Sequence, residues 1–185
     1  MLMDTLVVNL FGAPCAGKST GAAYIFALLK MAGINAELVT EVVKDELWED
    51  NETALKNQAY ILGRQSYKLT RLLGKVDVII TDSPLLLSIE YNSQPELSEH
   101  FDPYVLDLFN SFNNRNYFLH RTEDYNPVGR FETEEESERV SENLLTLLNK
   151  NGISYTEIDA TTSNYINIAL EISDMIKHKG DDKNA

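Results

Sequence analysis

Cysteine is nearly absent from this chain, with Cys15 alone in 185 residues. A single thiol excludes an internal disulfide framework and suits a reducing compartment, so a cytoplasmic location is expected. Proline and glycine are scarce, at 5 and 9 residues, and no Pro/Gly-rich linker or low-complexity stretch divides the sequence. No apolar run reaches the roughly 18 residues that a membrane-crossing helix needs, so no membrane partner is expected. The opening MLMDTLVVNLF lacks a positive n-region and runs straight into a strand pattern, so no export signal is expected. Basic residues are also few: 16 Lys and Arg stand against 29 Asp and Glu, a net charge of −13. They are dispersed, and the densest charge run, 132–138, is acidic, which weighs against a non-specific grip on a nucleic acid backbone. A small anionic ligand gathered by a few local cations fits this balance better.

What the chain does have is a regular alternation of apolar strands and helices. TLVVNLF (5–11) is a short apolar run ending at Gly12, and AELVT (36–40), VDVIITD (76–82), NYFLH (116–120) and ISYTEIDA (153–160) follow as further strands. Helices are expected over 19–31, about 52–73, near 103–112, from the capping-box pattern at 133–136 to Gly152, and over 164–178. Residues 1–178 read as one domain and 179–185 as a disordered tail. Such alternation implies an α/β fold, a parallel sheet with helices on both faces. Right-handed crossovers bring the C-terminal ends of the strands to one edge, where ligands bind. That edge collects residues 12–20, Glu41, Asp82, His120, Arg121, Asp159 and Ala160.

The stretch GAPCAGKST (12–20) fits G-x-x-x-x-G-K-[ST] through Gly12, Gly17, Lys18 and Ser19, with a strand before it and a helix after it. Glycines let the backbone wrap a phosphate, and the N–H groups of Ala13, Pro14's neighbours Cys15 and Ala16, and the helix start face the anion. Lys18 is expected on the β- and γ-phosphates, Ser19 on Mg²⁺ and Thr20 on a further phosphate oxygen. Cys15 reads as a small filler, because no histidine lies near it in sequence. Asp82 closes an apolar strand, where a metal-holding or acid/base carboxylate belongs, and a helix-capping role is compatible with that. Glu41 ends the second strand and either takes a proton from an acceptor hydroxyl or serves as a first-turn helix acid.

Arg121 and Arg130 lie in a polar segment, 121–132, that reads as a lid hinged at Gly129. Arginines on a closing loop neutralise the charge that develops in phosphoryl transfer; the alternative is surface ion pairing with the nearby glutamates. Gln58, Arg64, Gln65 and Tyr67 either read an acceptor or form an exposed helix face. Trp48 reads as a core residue, with a stacking wall as the alternative. Residues 159–163 are placed near an adenine by analogy with other sheets of this kind.

With these residues in place the chain resembles the P-loop kinase superfamily. GAPCAGKST, Glu41 after the second strand, "DSP" after the third and an Arg-bearing lid look like nucleoside and nucleotide kinases. "VIITDSP" and "NPVGRFETEEES…NGISYTEIDA" are more closely similar to phage-encoded, NadR-like AAA-type ATP-binding proteins. The resemblance spans 5–160 and implies a three-layer P-loop NTPase fold, a five-stranded parallel sheet in the order 2-3-1-4-5 and a lid after strand 4. It also implies ATP, Mg²⁺ and phosphoryl transfer through Lys18, Ser19, Asp82, Glu41 and the lid arginines. Ser83 departs from deoxynucleoside kinases, which usually carry arginine there. The leading expectation is a kinase acting on a small nucleoside-, nucleotide- or related acceptor. The alternatives are a kinase for a hydroxymethylated base in DNA, such as 5-hydroxymethyluracil, working in a host cytoplasm if phage-encoded, and a regulatory ATPase. The guanine-reading N-K-x-D is missing, which disfavours a GTPase.

Overall fold

Apolar β-branched runs are the strongest signal in the sequence, and each becomes a strand of one sheet. In the computed structural model, which describes residues 5–94, 96, 98–125 and 133–182, these are β1 (Leu6–Phe11), β2 (Ala36–Val39), β3 (Val78–Thr81), β4 (Asn113–His120) and β5 (Thr156–Asp159). All pairs are parallel, and the order is β2-β3-β1-β4-β5, as expected. The helices are α1 (Lys18–Met31), α2 (Val42–Trp48), α3 (Glu52–Leu55), α4 (Gln58–Thr70), α5 (Leu87–Glu90), α6 (Ser98–Asn110), α7 (Glu134–Lys150) and α8 (Thr162–Asp182).

Alternation along the central strand decides the layers, because successive side chains leave opposite faces. Leu6, Val8 and Leu10 of β1 pack with Ile25 and Leu29 of α1 and Ile168 and Ile172 of α8. Val7 and Phe11 pack on the other face with Leu62 and Leu69 of α4, Val105 and Phe109 of α6, and Leu144 and Leu148 of α7. Each fully buried aliphatic or aromatic side chain contributes roughly 1.5–3 kcal/mol, so both faces hold the sheet in place. Polar residues inside β1 and β4 are matched to one another. Asn9 Nδ2 donates to Asn114 Oδ1 at 2.9 Å and to Asn116 Oδ1 at 3.0 Å. Asn116 Nδ2 in turn donates to the Ser154 carbonyl at 2.9 Å. This network lets β4 begin at Asn113, ahead of the apolar residues that mark it in sequence.

Other differences from the sequence reading have local causes. The helix expected over 52–73 is interrupted, because Asn57 becomes an N-cap whose side chain accepts from Tyr60 N at 3.0 Å, starting α4 anew. Helix α6 begins at Ser98 and carries Pro103 inside it rather than at its start. Helix α8 continues to Asp182, into the segment expected as a disordered tail. Trp48 is 88% exposed and is no core residue. Its helix turns Val42 and Glu46 inward, one turn apart, and Trp48 follows two positions later on the outer side.

Helices α1 and α8 approach closely because position 21 lacks a side chain: a Cβ there would lie 2.6 Å from Tyr165 Cε1. Gly63, in α4, has nothing within 4 Å of such an atom. Gly21→Ala is therefore expected to destabilise by about 1–3 kcal/mol through overpacking, and Gly63→Ala to stabilise by roughly 0.5–1 kcal/mol through helix propensity. Denaturant titration of both variants checks the pair. On the opposite face, Glu90 of α5 accepts from Asn143 Nδ2 of α7 at 3.0 Å. Burial raises its carboxyl pKa, partly offset by the Asn143 bond and Arg139. A raised folded value means stability present below the unfolded glutamate value, about 4.3, and lost as pH rises through the folded value. Glu90→Gln is expected to be more stable than the parent at neutral pH and to flatten the stability–pH curve just above that range.

Candidate active site

The loop after β1 owes its shape to backbone that turns left-handed at Gly12 (φ 142°), Cys15 (φ 64°) and Gly17 (φ 80°). A Cβ on Gly12 would stand 2.8 Å from the Leu119 carbonyl oxygen, and one on Gly17 2.7 Å from the Tyr165 hydroxyl. Neither position accepts another residue without movement. Cys15 holds the same hand with a side chain, a strain of order 1–2 kcal/mol. Ala16 N donates to the Ala13 carbonyl at 3.1 Å and closes the turn. Helix α1 then opens with Gly17 as N-cap, so its first N–H groups and its dipole face the loop, an arrangement that binds anions. Lys18 Nζ folds back over the loop and donates to the Gly12 and Ala13 carbonyls at 2.7 and 2.8 Å.

Two helices of different layers hold this loop from behind. Ser137, 2% exposed near the start of α7, donates from Oγ to the Pro14 carbonyl at 2.9 Å. Tyr165 of α8 donates from its hydroxyl to the Gly17 carbonyl at 3.2 Å, and burial raises its phenol pKa. The capping box at Thr133 and Glu136 fixes where α7 begins, and with it the placing of Ser137 one residue later.

In front of the loop opens a cavity of about 650 Å³. Gly12 and residues 14–20 line one end, and Glu41, Lys44, Asp82, Ser83, Glu123 and Asp124 line it as well. Asp82 follows β3 and is 6% exposed, and its Oδ1 is buried with no hydrogen-bond partner. Glu41 is the N-cap of α2. Lys44 Nζ donates to Ser19 Oγ at 3.2 Å. A buried orphan carboxylate oxygen sharing a cavity with the loop serine fits a hard, oxygen-ligated divalent cation. Among the described residues no group of three or more His, Cys, Asp or Glu is clustered for a metal, so such a cation would rely on Ser19, Asp82, nucleotide phosphates and water.

Helices α2, α3, α4 and α5 supply further walls of the cavity, with Leu47, Leu55, Gln58, Ile61, Gln65 and Leu87 among them. A buried carboxylate ties this wall together. Glu46, 1% exposed, accepts from Arg64 Nη1, from Asn51 Nδ2 at 2.7 Å and from the Tyr60 hydroxyl at 3.0 Å. Lys68 pairs with Asp45 at 2.8 Å, a second bond between α4 and α2. Gln65 Oε1 accepts from Val42 N at 3.0 Å and anchors the first turn of α2, the helix that Glu41 caps.

The expected site residues are thus distributed unevenly. Gly12, Pro14, Cys15, Ala16, Gly17, Lys18, Ser19, Thr20, Glu41 and Asp82 share the cavity; Ala13 instead contributes the carbonyl that holds Lys18. Arg121 does not line it. Its Nη2 pairs with Glu134 at 2.9 Å and its guanidinium lies 5.2 Å from the Tyr125 ring centre. Arg130, the Gly129 hinge and the rest of 126–132 lie outside the described residues. Of the helix residues weighed for the acceptor, Gln58 and Gln65 are buried on the cavity wall, while Tyr67 is exposed and Arg64 is taken by Glu46. Sequence reasoning missed Lys44, Ser137 and Tyr165. Lys44 had a usable signal, a cation three positions past the acid of strand 2; Ser137 and Tyr165 act through backbone contacts that no local pattern announces.

A family model described as an AAA domain matches residues 7–164. No curated protein matches the chain. The matched span runs from β1 to the start of α8 and takes in the loop, Glu41, Asp82 and the whole cavity wall.

The Ser137 hydroxyl gives a direct check on how the loop is held. Ser137→Ala leaves the Pro14 carbonyl without its buried donor and is expected to cost about 1–2 kcal/mol, with weaker nucleotide binding. Thermal unfolding and titration with a fluorescent ATP analogue measure both; unchanged stability would contradict the anchoring role.

Proposed function

Since this chain belongs to the AAA-domain family of P-loop NTPases, we propose that it is an ATP- and Mg²⁺-dependent kinase that moves the γ-phosphate to a nucleoside, nucleotide or related hydroxyl acceptor. The observation that carries this reading is the continuity of the cavity. It runs from the phosphate loop past Glu41 and Asp82 into a walled compartment of Gln58, Gln65 and apolar side chains. A hydrolase or switch needs room for a water; a second organic molecule needs a compartment.

In this reading Lys18 exchanges its bonds to the Gly12 and Ala13 carbonyls for the β- and γ-phosphates, and the N–H groups of Ala13 and of 15–20 cradle the phosphates. Ser19 and Asp82 would hold Mg²⁺, which when bound would supply charge neutralisation on the phosphates. The acceptor oxygen forms the new bond to the γ-phosphorus as the bond to the β–γ bridging oxygen breaks, and the hydroxyl proton passes to Glu41 while ADP leaves. Lys44, released from Ser19, offers a further cation to the transferring group. Arg121 and Arg130 are assigned to a lid that adds charge and excludes water. Residues 159–163 are assigned to the adenine side, since Ala160 Cβ stands close to Gly17.

A second reading, a hydroxymethylated base in a nucleic acid strand as acceptor, is favoured by one local feature. Residues 53–76 hold Lys56, Arg64, Lys68, Arg71 and Lys75 and no Asp or Glu, against the charge of the whole chain. Arg64 and Lys68 are already paired with Glu46 and Asp45, which weakens it.

Radiolabelled ATP offered in parallel to nucleosides, nucleotides, plain DNA and hydroxymethyl-base DNA separates the readings. Label on a small acceptor is expected; steady hydrolysis with no transfer would instead support a regulatory ATPase. Lys18→Ala is expected to lower turnover by at least about 10²-fold with an unchanged folded spectrum. Asp82→Asn is expected to stay folded, because its buried oxygen has no partner to lose, and to lose both activity and its response to Mg²⁺.

A further inference from the structure

Exposed apolar side chains are not spread evenly over this surface. Among the described residues, the large hydrophobic side chains left exposed without a hydroxyl or indole N–H are Met31, Ile166, Leu170 and Met175. All four lie on α1 or α8. Single exposed aliphatic residues need no explanation, but their concentration on two adjoining helices does. The same helices are poor in charge. Residues 19–29 and 160–170 hold no Asp, Glu, Lys or Arg, in a chain that carries −13.

Helices α1 and α8 form one face of the molecule. They share a core through Ile25, Leu29, Ile168 and Ile172, and Gly21 meets the Tyr165 ring. Each follows a strand of the parallel sheet, so the two run in the same direction. Away from the core α1 exposes Ala23 and Ala27, a turn apart, and α8 exposes Ile166 and Leu170, also a turn apart. Counted from the Gly21–Tyr165 contact, Ile166 and Leu170 come level with Ala23 and Ala27 to within one residue. A trough of small side chains thus runs beside a ridge of large ones. A two-fold axis along the helices exchanges α1 with α8, so the ridge of each copy meets the trough of the other. The charges obey the same symmetry. Lys30 lies nine residues beyond Gly21 and Asp174 nine beyond Tyr165, so both stand about 13.5 Å farther along their helices. Both are exposed, and the ion pairs among the described residues include neither. The axis sets Lys30 of one copy opposite Asp174 of the other.

We infer that the outer face of α1 and α8 is an interface with a second copy of this chain, closed by a two-fold axis that runs along the helices. The charges favour a copy as the occupant. Two chains of −13 repel each other, and they approach closely only through surface that carries little charge of its own. This face is such a surface, and its one matched pair of opposite charges is used twice in an isologous contact. It is one helix of 14 residues beside one of 21, a small area, so association is expected in the micromolar range. The inference is independent of the kinase reading, since Ala23, Ala27, Lys30, Leu170 and Asp174 do not line the cavity.

The test is sedimentation velocity on the full chain, from micromolar to submillimolar concentration. A monomer–dimer equilibrium is expected, and Leu170→Glu is expected to weaken it about tenfold or more. Asp174→Lys is the deciding variant, because general repulsion and the proposed pairing predict opposite signs for it. Replacing one negative charge by a positive one takes the net charge from −13 to −11, so repulsion alone would tighten the dimer. The pairing instead sets Lys30 against a lysine, and association is expected to weaken about threefold or more. Lys30→Asp is expected to weaken it likewise. The double variant Lys30→Asp with Asp174→Lys returns to −13 and is expected to restore the parental dimer. These positions are exposed, and circular dichroism with thermal unfolding checks that each variant stays folded; rescue by the double variant is itself proof against a folding defect. A chain monomeric at every concentration would leave the face to an unlike partner and overturn the proposal. A dimer indifferent to Leu170→Glu, a tighter dimer in Asp174→Lys, or single reversals that the double variant does not rescue would each overturn it too.

Discussion

The left-handed backbone at Gly12, Cys15 and Gly17 is the constraint on which the rest of the structure depends. Curling the chain so tightly turns N–H groups toward one side and sends carbonyls to the other, and a buried carbonyl needs a donor. Four of the loop carbonyls have a side-chain donor. Pro14 takes the Ser137 hydroxyl, Gly17 takes Tyr165, and Gly12 and Ala13 take Lys18. These donors come from α7, α8 and α1, so the loop sets where three helices must stand. The closeness of Tyr165 to Gly17 and Gly21 shows the same demand in steric form. The phosphate-binding conformation is thus part of the core packing rather than an appendage to it.

The layered fold was readable because it follows from residue periodicity, and periodicity survives in a single sequence. The β1 and β3 runs are apolar on both faces, and a strand covered on both faces has to be central and parallel. The loop was readable because phosphate geometry restricts it to glycines and one lysine. Elsewhere the reading failed where a local preference met a tertiary one. Asn57 broke a helix that its apolar spacing would have continued. Trp48 looked like core by type, yet the phase of α2 is fixed by the inward Val42 and Glu46. Gln65 could not be distinguished from an exposed helix residue, because its burial depends on α2 crossing over it, and that contact joins residues far apart in sequence.

Buried polar groups divide into two kinds here, and the difference locates chemistry. Asn9, Asn114 and Asn116 satisfy one another or a backbone carbonyl, and Glu46 collects three donors. These belong to structure: removing a partner would leave a charge or amide stranded. Asp82 Oδ1 and Gln65 Nε2 are stranded already, and both line the cavity. Asp102 Oδ1 and Arg121 Nη1 are also buried without a partner and lie away from the cavity lining, so a stranded atom points to a ligand only where, as at Asp82, it belongs to a residue that shares the cavity with the phosphate loop. The Glu46 network has a part in this as well. By locking α2 to α4 it keeps Glu41, at the head of α2, and Gln65, on α4, on walls that do not move independently.

The electrostatics of the cavity follow the same division. The chain carries −13 overall, and among the described residues that line the cavity the sign is the same: Lys18 and Lys44 are outnumbered by Glu41, Asp82, Glu123 and Asp124. A triphosphate entering such a space is attracted by the loop N–H groups and the α1 dipole at short range, and repelled by carboxylates at longer range. Side chains alone leave the balance unfavourable, so binding of the anion and of a divalent cation has to be coupled. In the proposed reading Lys44 is where that coupling would act, since it donates to the Ser19 hydroxyl that a cation would claim. In that reading, displacing it from Ser19 would free a positive charge inside the same cavity, so that admitting a metal would also supply a cation for the phosphates. An acidic protein can therefore handle a polyanion without a basic surface, provided that its few cations are held by groups the ligand complex replaces.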